Sequence, residues 1–210
     1  MQMQTKSDKP ISDKELIFPE ISNHKMIVCG IQGSGKTQFS QLLIDHKQYR
    51  VFVYTPNPQE FEECGDNYLI ADAKQWSIEQ FAETAIHLGK TGVIDGVFLP
   101  EFDFSLSHNF EMKGAINDLM ISHRHYMLFV IGNTRRPQDI PAKVFESSLF
   151  IVCFSMAGSN AAKKLNDVWA GLGDAVQDLP YKSYNAYVKK IGELPFLADY
   201  SILGAPASKE

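Results

Sequence analysis

The chain alternates between short, continuously apolar runs and longer segments in which apolar residues recur every three or four positions. The continuous runs are rich in β-branched and aromatic residues, which is typical of strands buried on both faces. They predict strands over residues 25–29, 50–54, 67–71, 92–99, 127–131 and 149–156.

The segments with three-to-four spacing predict helices between these strands. They cover residues 36–45, 77–88, 109–124 and 140–147, and a further helix follows Asn160 and ends near residue 170. Fully apolar strands that alternate with helices belong to a mostly parallel sheet with helices on both faces. The pattern therefore predicts a three-layer α/β fold with right-handed crossovers.

The two ends of the chain depart from this pattern. Residues 1–14 lack apolar periodicity and predict a flexible lead, residues 15–205 predict a single domain, and residues 206–210 predict a short tail. Within the domain, residues 171–205 are mixed in character, with three tyrosines and an apolar stretch at 195–197. This segment either folds back on the sheet or lies at a subunit interface, and the sequence leaves both readings open.

Composition narrows the classes of function. A chain of 210 residues with 44% apolar and 21% charged residues suits one globular domain. No apolar run approaches the roughly 20 residues that a membrane-spanning helix needs. A formal net charge of −5 argues against bulk attraction to nucleic acid, so any such contact must be local. The three cysteines favour buried thiols in a reducing compartment.

Residues 30–37 match G-x-x-x-x-G-K-[ST] between a predicted strand and a predicted helix, which defines a phosphate-binding loop (P-loop). Such a turn directs several backbone N–H groups and the positive end of a helix dipole at one point. The expected ligands are ATP and Mg²⁺, with Lys36 at the β- and γ-phosphates and Thr37 at the metal. The predicted nucleotide-binding residues of the loop are Gly30, Gln32, Gly33, Ser34, Gly35, Lys36, Thr37 and Gln38.

A second acidic element should complete the site from the end of another strand. The strand ending at Leu99 is followed by Pro100 and Glu101, whereas P-loop ATPases of the additional-strand class usually have Asp-Glu there. We therefore expect Glu101 to be the catalytic base and, with Thr37, a metal ligand. Asp103 and Asp95 are alternatives for the missing aspartate, or Thr37 and water suffice without it.

Polar residues also follow the strand predicted at 127–131. Asn133 and Thr134 lie where the carboxyl end of a neighbouring strand approaches the γ-phosphate, so either could sense it. A capped strand end in a surface turn is the alternative for each residue. The chain contains four arginines, and Arg124, Arg135 and Arg136 fall within thirteen residues of one another. Arginine binds phosphate through a planar fork, so this cluster is a candidate for phosphate recognition.

The stretch 122–125, Ser-His-Arg-His, followed by an apolar strand and then by residues 133–141, Asn-Thr-Arg-Arg-Pro-Gln-Asp-Ile-Pro, resembles the FtsK–HerA superfamily of DNA-pumping ATPases. The small size is most similar to the genome-packaging ATPases of membrane-containing icosahedral viruses. The resemblance covers about residues 25–156. It implies a RecA-like P-loop fold of the additional-strand class. Pro100, and Arg135 where the superfamily commonly has glutamine, depart from it.

The resemblance also implies a mechanism and a setting. Subunits would form a homo-oligomeric ring, expected to have six members, with ATP at each interface and an arginine supplied by the neighbouring subunit. Arg124 is the first candidate for this arginine finger, followed by Arg136 and Arg135, and Arg136 is also expected at the nucleotide. The partners implied are double-stranded viral DNA and a capsid or membrane-vertex protein. The location implied is the host cytoplasm or the virion.

Two other functions use the same loop. A small-molecule phosphotransferase such as a nucleoside kinase would need an acceptor pocket and an arginine-bearing lid, and an Arg pair followed by proline fits this poorly. A nucleotide-dependent switch or assembly factor with weak turnover is supported by Pro100 in the acidic motif. His123 and His125 lack the spacing of a metal site, and surface or capping roles are expected for them.

Overall fold

The fold is described from a computed structural model over residues 18–105 and 113–204. The predicted lead at 1–14, the tail at 206–210 and the first residues of the helix predicted at 109–124 lie outside this part of the chain. The strands are β1 (Lys25–Cys29), β2 (Val51–Thr55), β3 (Tyr68–Asp72), β4 (Gly96–Leu99), β5 (Phe129–Thr134), β6 (Phe150–Cys153), β7 (Asn185–Lys190) and β8 (Phe196–Asp199).

The α-helices are α1 (Lys36–Lys47), α2 (Ile78–Lys90), α3 (Phe102–Ser105), α4 (Gly114–Ser122), α5 (Ala142–Glu146), α6 (Ser159–Val168) and α7 (Leu172–Gln177). Short 3₁₀ turns cover Pro58–Phe61, His123–Tyr126, Pro137–Asp139 and Ser201–Gly204. Helix α2 begins with a capping box, in which the Ser77 side chain accepts from the Gln80 backbone and the Gln80 side chain accepts from the Ser77 backbone.

All eight strands form one sheet, in the order β3-β2-β4-β5-β1-β6-β7-β8. Strands β1 to β6 pair in parallel, as the fully apolar runs predicted. Strand β5 is inserted between β1 and β4, so the strand before the loop and the strand before Glu101 are not neighbours. This inserted strand confirms the predicted additional-strand class of the P-loop fold.

The C-terminal segment folds back on the sheet, which decides between the two possibilities that the sequence left open. Strand β7 pairs antiparallel with β6, and β8 pairs antiparallel with β7. The sequence did not predict either strand, because Asn185–Lys190 mixes an asparagine and two lysines with its apolar residues and contains no continuous apolar run. Helix α7 was also missed, since its six residues, which follow Gly171 and include Gly173, give too few positions for a helical period.

Two apolar clusters cover the faces of the sheet and make the three layers. One includes Phe39 and Leu43 of α1, which pack on Val28 of β1. The other includes Phe81 of α2 and Leu119 of α4. Both clusters are closed to solvent at these side chains. No helix in the described residues is long and apolar enough to span a bilayer.

Two predicted boundaries move in a way that matters for the site. The strand predicted from residue 127 begins at Phe129 and continues to Thr134, so Asn133 and Thr134 lie within β5 rather than in a turn after it. The helix predicted over 140–147 covers only Ala142–Glu146, since Pro141 is extended, with ψ 137°, and precedes α5 as its N-cap.

Lys25, at the amino end of β1, is fully buried. Its ammonium donates to the Met120 carbonyl at 2.5 Å and to the Ser147 hydroxyl at 2.7 Å. No carboxylate pairs with it among the described residues. Burial, helped by the nearby charge of Arg124, lowers the pKa of Lys25 to about 8. A buried cation held by neutral acceptors is destabilising at neutral pH.

We predict that Lys25→Met removes a pH dependence of stability. The pKa of Lys25 is about 8 in the folded protein against an ordinary 10.5, so between these values the unfolded chain binds the proton more tightly and wild-type stability rises with pH. As the pH rises across this window, the unfolding free energy of the wild type should increase relative to that of Lys25→Met by roughly 1 kcal/mol per pH unit. Urea unfolding at pH 7 and pH 9.5 measures this, with exposed Lys74→Met as control. An equal pH response in wild type and Lys25→Met would contradict it.

Candidate nucleotide-binding and hydrolysis site

The loop between β1 and α1 is attached to the strands on both sides of β1. The Gly30 N–H donates to the Thr134 carbonyl of β5 at 3.1 Å, and the Ile31 N–H donates to the Ser155 carbonyl beyond β6 at 3.0 Å. Gly35 then takes a left-handed conformation, with φ 98°, and α1 begins at the next residue. These contacts hold the first turn of α1 directly above the carboxyl edge of the sheet.

Lys36 lies inside the curve of the loop. Its ammonium donates to the carbonyls of Gly30 and Ile31, each at 2.8 Å, and the side chain is buried. Burial lowers the pKa of Lys36 to about 8; the nearby charge of Arg135 lowers it further, and Cys29 and Asp103 oppose the shift. A phosphate would replace the two carbonyls as partner and would favour the charged lysine, because an adjacent anion raises the pKa of an ammonium.

Unpartnered polar atoms inside the loop fit a polyphosphate. The buried Ser34 hydroxyl makes no hydrogen bond among the described residues. Buried polar groups are nearly always paired in folded proteins, so this orphan marks a place where a ligand atom belongs. Thr37 follows Lys36 in the first turn of α1 and is only partly buried, and Gln38 is exposed at the start of the same turn. The predicted loop residues are therefore brought together on one surface.

Glu101 lies just past the carboxyl end of β4, two strands away from the loop. Its carboxylate accepts a hydrogen bond of 2.9 Å from the side-chain amide of Asn57, which follows β2. Because β2, β4, β5 and β1 are parallel, their carboxyl ends meet at one edge of the sheet. Glu101 is thus held in a fixed orientation at the edge where the loop lies, as a general base requires.

Asn133 sits on β5, between the strand of Glu101 and the strand of the loop. It is fully buried, and its carbonyl oxygen accepts from the Ser40 hydroxyl of α1 at 2.9 Å. Its amide nitrogen has no partner among the described residues. In the register of β5 with β1, Asn133 lies beside Val28, two residues before the loop begins. An amide donor fixed by α1 at this position is suited to contact a γ-phosphate or the attacking water.

Thr134 has a different role from the one considered for it. Its hydroxyl accepts from the Arg136 N–H at 3.0 Å, and its carbonyl accepts from Gly30. Thr134 therefore shapes the turn after β5 and supports the loop. Of the two candidates for a γ-phosphate sensor, Asn133 has the free donor.

The two arginines after β5 differ in their surroundings. Arg135 forms an ion pair at 4.0 Å with Asp103 and lies close enough to Lys36 to lower its pKa. Arg136 is exposed and lies 3.9 Å from Asp139. Both line a polar cavity of about 490 Å³, together with Gln32 of the loop and the first residues of α6. Both arginines are therefore near the nucleotide site of their own subunit.

The donor set fits Mg²⁺ held chiefly by phosphate and water. No cluster of three or more acidic, histidine or cysteine side chains occurs in the part of the chain that the structure describes. Mg²⁺ usually takes one or two protein oxygens beside substrate phosphates, so the Thr37 hydroxyl, with the Glu101 carboxylate at the same sheet edge as the second candidate, is a sufficient protein contribution. Asp103 is at the correct edge but is paired with Arg135.

Asp95 is excluded as the substitute for the missing aspartate. It precedes β4 and is at the amino edge of the sheet, where its carboxylate accepts from the Arg50 backbone at 2.8 Å and pairs with the Arg50 guanidinium at 3.1 Å. That edge is opposite to the loop. The strand predicted over 92–99 included Asp95, whereas β4 begins at Gly96, so Asp95 and Glu101 lie at opposite ends of this strand.

Arg124 also lies at the amino edge. It is exposed in the 3₁₀ turn that precedes β5, whereas the P-loop lies beyond the opposite ends of the parallel strands. A strand of six residues spans roughly 20 Å, so Arg124 cannot reach the loop of its own subunit. This position is compatible with a finger for a neighbouring subunit and excludes action in cis.

His123 stands at the C-cap of α4, in line with the capping role expected for it, whereas the surface position expected as the alternative is wrong. His123 is buried, with 2% of its surface exposed, and its Nδ1 has no partner among the described residues. Burial and the charges of Lys25 and Arg124 lower its pKa to about 4, which keeps the imidazole neutral at pH 7. It serves as a core residue beneath β5. His125 is exposed, as expected.

Sequence reasoning missed Asn57 and Ser40. Asn57 follows Pro56 after β2, in a stretch that reads as an ordinary turn, and its contact with Glu101 spans 44 residues. Ser40 lies in a helix and carries no motif. A signal did exist for Asn57: a polar side chain at the carboxyl end of a predicted parallel strand lies at the edge where such sheets bind ligands.

The geometry can be compared with known proteins. No protein-family model and no curated protein matches the sequence. Among solved structures, the genome-packaging NTPase B204 from Sulfolobus turreted icosahedral virus 2 in complex with AMPPCP is similar, with a TM-score of 0.72 and 15% identity over 84% of this chain and 96% of that chain.

Two larger proteins contain a similar domain. The pCW3 conjugation coupling protein TcpA aligns with a TM-score of 0.62 and 10% identity, over 85% of this chain and 60% of that one. EssC (ATPases 2 and 3) from Geobacillus thermodenitrificans aligns with a TM-score of 0.60 and 12% identity, over 85% of this chain and 40% of that one. At such identities the likeness concerns the fold. The chain has a P-loop NTPase fold, and the resemblance to packaging and FtsK-like ATPases is confirmed at that level.

We predict that Asn57→Ala lowers kcat for ATP hydrolysis about tenfold without changing the Kd for nucleotide. The Asn57 amide orients Glu101 through one hydrogen bond, and a misplaced base costs about 1.4 kcal/mol in the transition state. Steady-state phosphate release and equilibrium binding measure the two quantities. Asn67→Ala, before β3 at the amino edge, is the matched control. An unchanged kcat, or a loss of binding, would contradict the role given to Asn57.

Proposed function

We propose that this protein hydrolyses ATP and uses the energy to move double-stranded DNA, packaging a viral genome into a capsid. The observation that carries the proposal is the arrangement along one sheet edge: the loop follows β1, Asn133 lies near the end of β5, and Glu101 follows β4, and these three strands are neighbours in that order. This order puts a phosphate cradle, a γ-phosphate donor and an oriented carboxylate side by side. A site that only bound nucleotide would not need the oriented carboxylate of Glu101.

The proposed roles follow from these positions. Backbone N–H groups of the loop and the Lys36 ammonium bind the β- and γ-phosphates, and Thr37 contributes to Mg²⁺ binding. Mg²⁺ would neutralise charge on the phosphate oxygens. Asn133 holds the γ-phosphate or the attacking water, and Glu101 polarises that water from β4. Arg135, which is close to Lys36, adds positive charge at the γ-phosphate within the same subunit.

Arg124 acts in trans under this proposal. It lies at the amino edge of its own sheet, so it can stabilise γ-phosphoryl charge only at a neighbour's site. The surface around it includes exposed apolar side chains, Ile121 and Met127, which suit a contact between subunits. A homo-oligomeric ring, of six members in the superfamily that the chain resembles, would give every site one such arginine.

The DNA and capsid parts of the proposal are supported by likeness. The similar chain is a genome-packaging NTPase of an icosahedral virus, and nearly its whole length aligns with this chain. Double-stranded DNA, a capsid or membrane-vertex protein, and a location in the host cytoplasm or the virion are proposed on this basis. With a net charge of −5, DNA contacts must be local and phosphate-directed, hence salt-sensitive and tolerant of sequence.

Phosphate release from ATP with and without double-stranded DNA tests the proposal. We expect DNA-stimulated turnover in the wild type, loss of binding and turnover in Lys36→Ala, and retained binding with at least 100-fold slower turnover in Glu101→Gln. Single-stranded DNA of the same length is the control for DNA structure.

Other outcomes identify the alternatives. A turnover rate that is the same with and without DNA, and that requires a nucleoside or another small acceptor, would indicate a phosphotransferase. Nucleotide binding by the wild type with no turnover in any condition would indicate the switch or assembly factor that Pro100 supports. Either result overturns the translocase proposal.

Mixing two inactive variants tests the finger. Arg124→Ala should lower turnover by about 10³-fold or more while its nucleotide Kd is unchanged, because the arginine acts on the transition state of a neighbour. In a mixture with Glu101→Gln, some sites combine an intact Glu101 with an intact Arg124 from the next subunit, so activity should reappear. His125→Ala, one residue away and exposed, is the control. If no mixture regains activity, Arg124 does not act in trans.

A further inference from the structure

The segment between α7 and β7 packs against the outer surface of the P-loop. Tyr181 and Tyr184 make the contacts: a methyl group built at Gly33 would lie 2.8 Å from the Tyr181 hydroxyl, and one built at Gly35 would lie 2.8 Å from the Tyr184 ring. The Tyr181 hydroxyl also donates to the Gln32 carbonyl at 3.4 Å. Glycine at positions 33 and 35 therefore leaves room for two aromatic rings as well as for phosphates.

The backbone that carries these rings is strained. Lys182 and Tyr184 both take left-handed conformations, with φ of 60° and 56°. A left-handed residue other than glycine costs of order 1 kcal/mol and persists where the surroundings hold it. Here the Tyr184 carbonyl accepts from the Tyr200 N–H at 3.1 Å, which fixes the segment to the chain beyond β8.

The two tyrosines differ in exposure. Tyr184 is partly buried and contacts the core, whereas Tyr181 keeps 55% of its surface exposed at the rim of the loop. The Lys182 ammonium lies 5.4 Å from the centre of the Tyr181 ring and covers at most one of its faces. An exposed aromatic ring whose hydroxyl is held by the loop is a surface on which a flat ligand can stack.

The proposed hydrolysis residues set the direction that a bound nucleotide would take. Glu101 follows β4 and Asn133 lies on β5, so a γ-phosphate acted on by them would point toward that half of the sheet. The nucleoside would then leave the loop in the other direction, toward β6, β7 and β8. Tyr181 and Tyr184 precede β7 and lie against the loop on that side.

We propose that Tyr181 stacks on the base of the bound nucleotide and that Tyr184, which is fixed to the core, positions Tyr181 against the loop. Every nucleobase has a π-face, so stacking adds affinity without reading the identity of the base. The inference rests on the nucleotide binding in the proposed function, and it is independent of hydrolysis and of DNA.

Calorimetric titration with two ligands tests it. ADP carries a base, whereas inorganic tripolyphosphate offers only phosphates to the loop. Stacking of a base on an aromatic side chain is worth about 1–3 kcal/mol, which corresponds to a roughly 5- to 150-fold change in Kd. Tyr181→Ala should raise the Kd for ADP by a factor in this range and leave the Kd for tripolyphosphate within about twofold of the wild-type value.

Two further variants make the result specific. Tyr181→Phe keeps the ring and loses only the hydroxyl, so it should retain ADP binding within about threefold. Leu194→Ala, an exposed apolar residue in the turn between β7 and β8, should change neither Kd. Thermal unfolding of each variant checks that the fold is intact.

Each remaining outcome has a definite meaning. An unchanged Kd for ADP in Tyr181→Ala, or equal weakening of ADP and tripolyphosphate, overturns the stacking role, the second case showing that Tyr181 merely supports the loop. A wild type that binds ADP through Tyr181 and never hydrolyses ATP would refute the proposed function and leave the stacking role intact. A wild type that binds neither ligand refutes both.

Discussion

The site depends on how the backbone of the loop is tied to the strands on both sides of β1. Two hydrogen bonds, from Gly30 to the end of β5 and from Ile31 to the chain beyond β6, fix where the loop leaves the sheet. Gly35 then turns the chain so that α1 starts above the same edge. Phosphate binding needs converging N–H groups with no freedom to diverge, and a parallel sheet supplies the rigid base.

The inserted strand β5 connects the two chemical halves of the site. It carries Asn133 between the loop and Glu101, supplies the Thr134 carbonyl to the loop, and continues into the turn with Arg135 and Arg136. At its other end it begins next to Arg124. This one strand therefore links the sheet edge that carries the loop to the opposite edge, which carries Arg124.

The sequence predicted much of the site because its signals are local. The loop, the strand before it and the helix after it lie within about twenty residues, and Glu101 was proposed from its place after an apolar strand. Partners distant along the chain were not found: Asn57 against Glu101, Ser40 against Asn133, and Tyr181 against the loop. Such contacts join residues from 44 to 149 positions apart, and no local period encodes them.

By itself the sequence determined the layered α/β class and the P-loop motif and predicted candidates for the other site residues, because fully apolar strands and glycine spacing depend on neighbours along the chain. Tertiary structure decided strand order and the edge at which each residue lies. It separated Asp95 from Glu101, set Arg124 opposite to its own loop, and buried His123. It also added β7 and β8, and with them the tyrosines over the loop. Side-chain position in a sheet depends on the pairing of distant strands, which only the folded chain specifies.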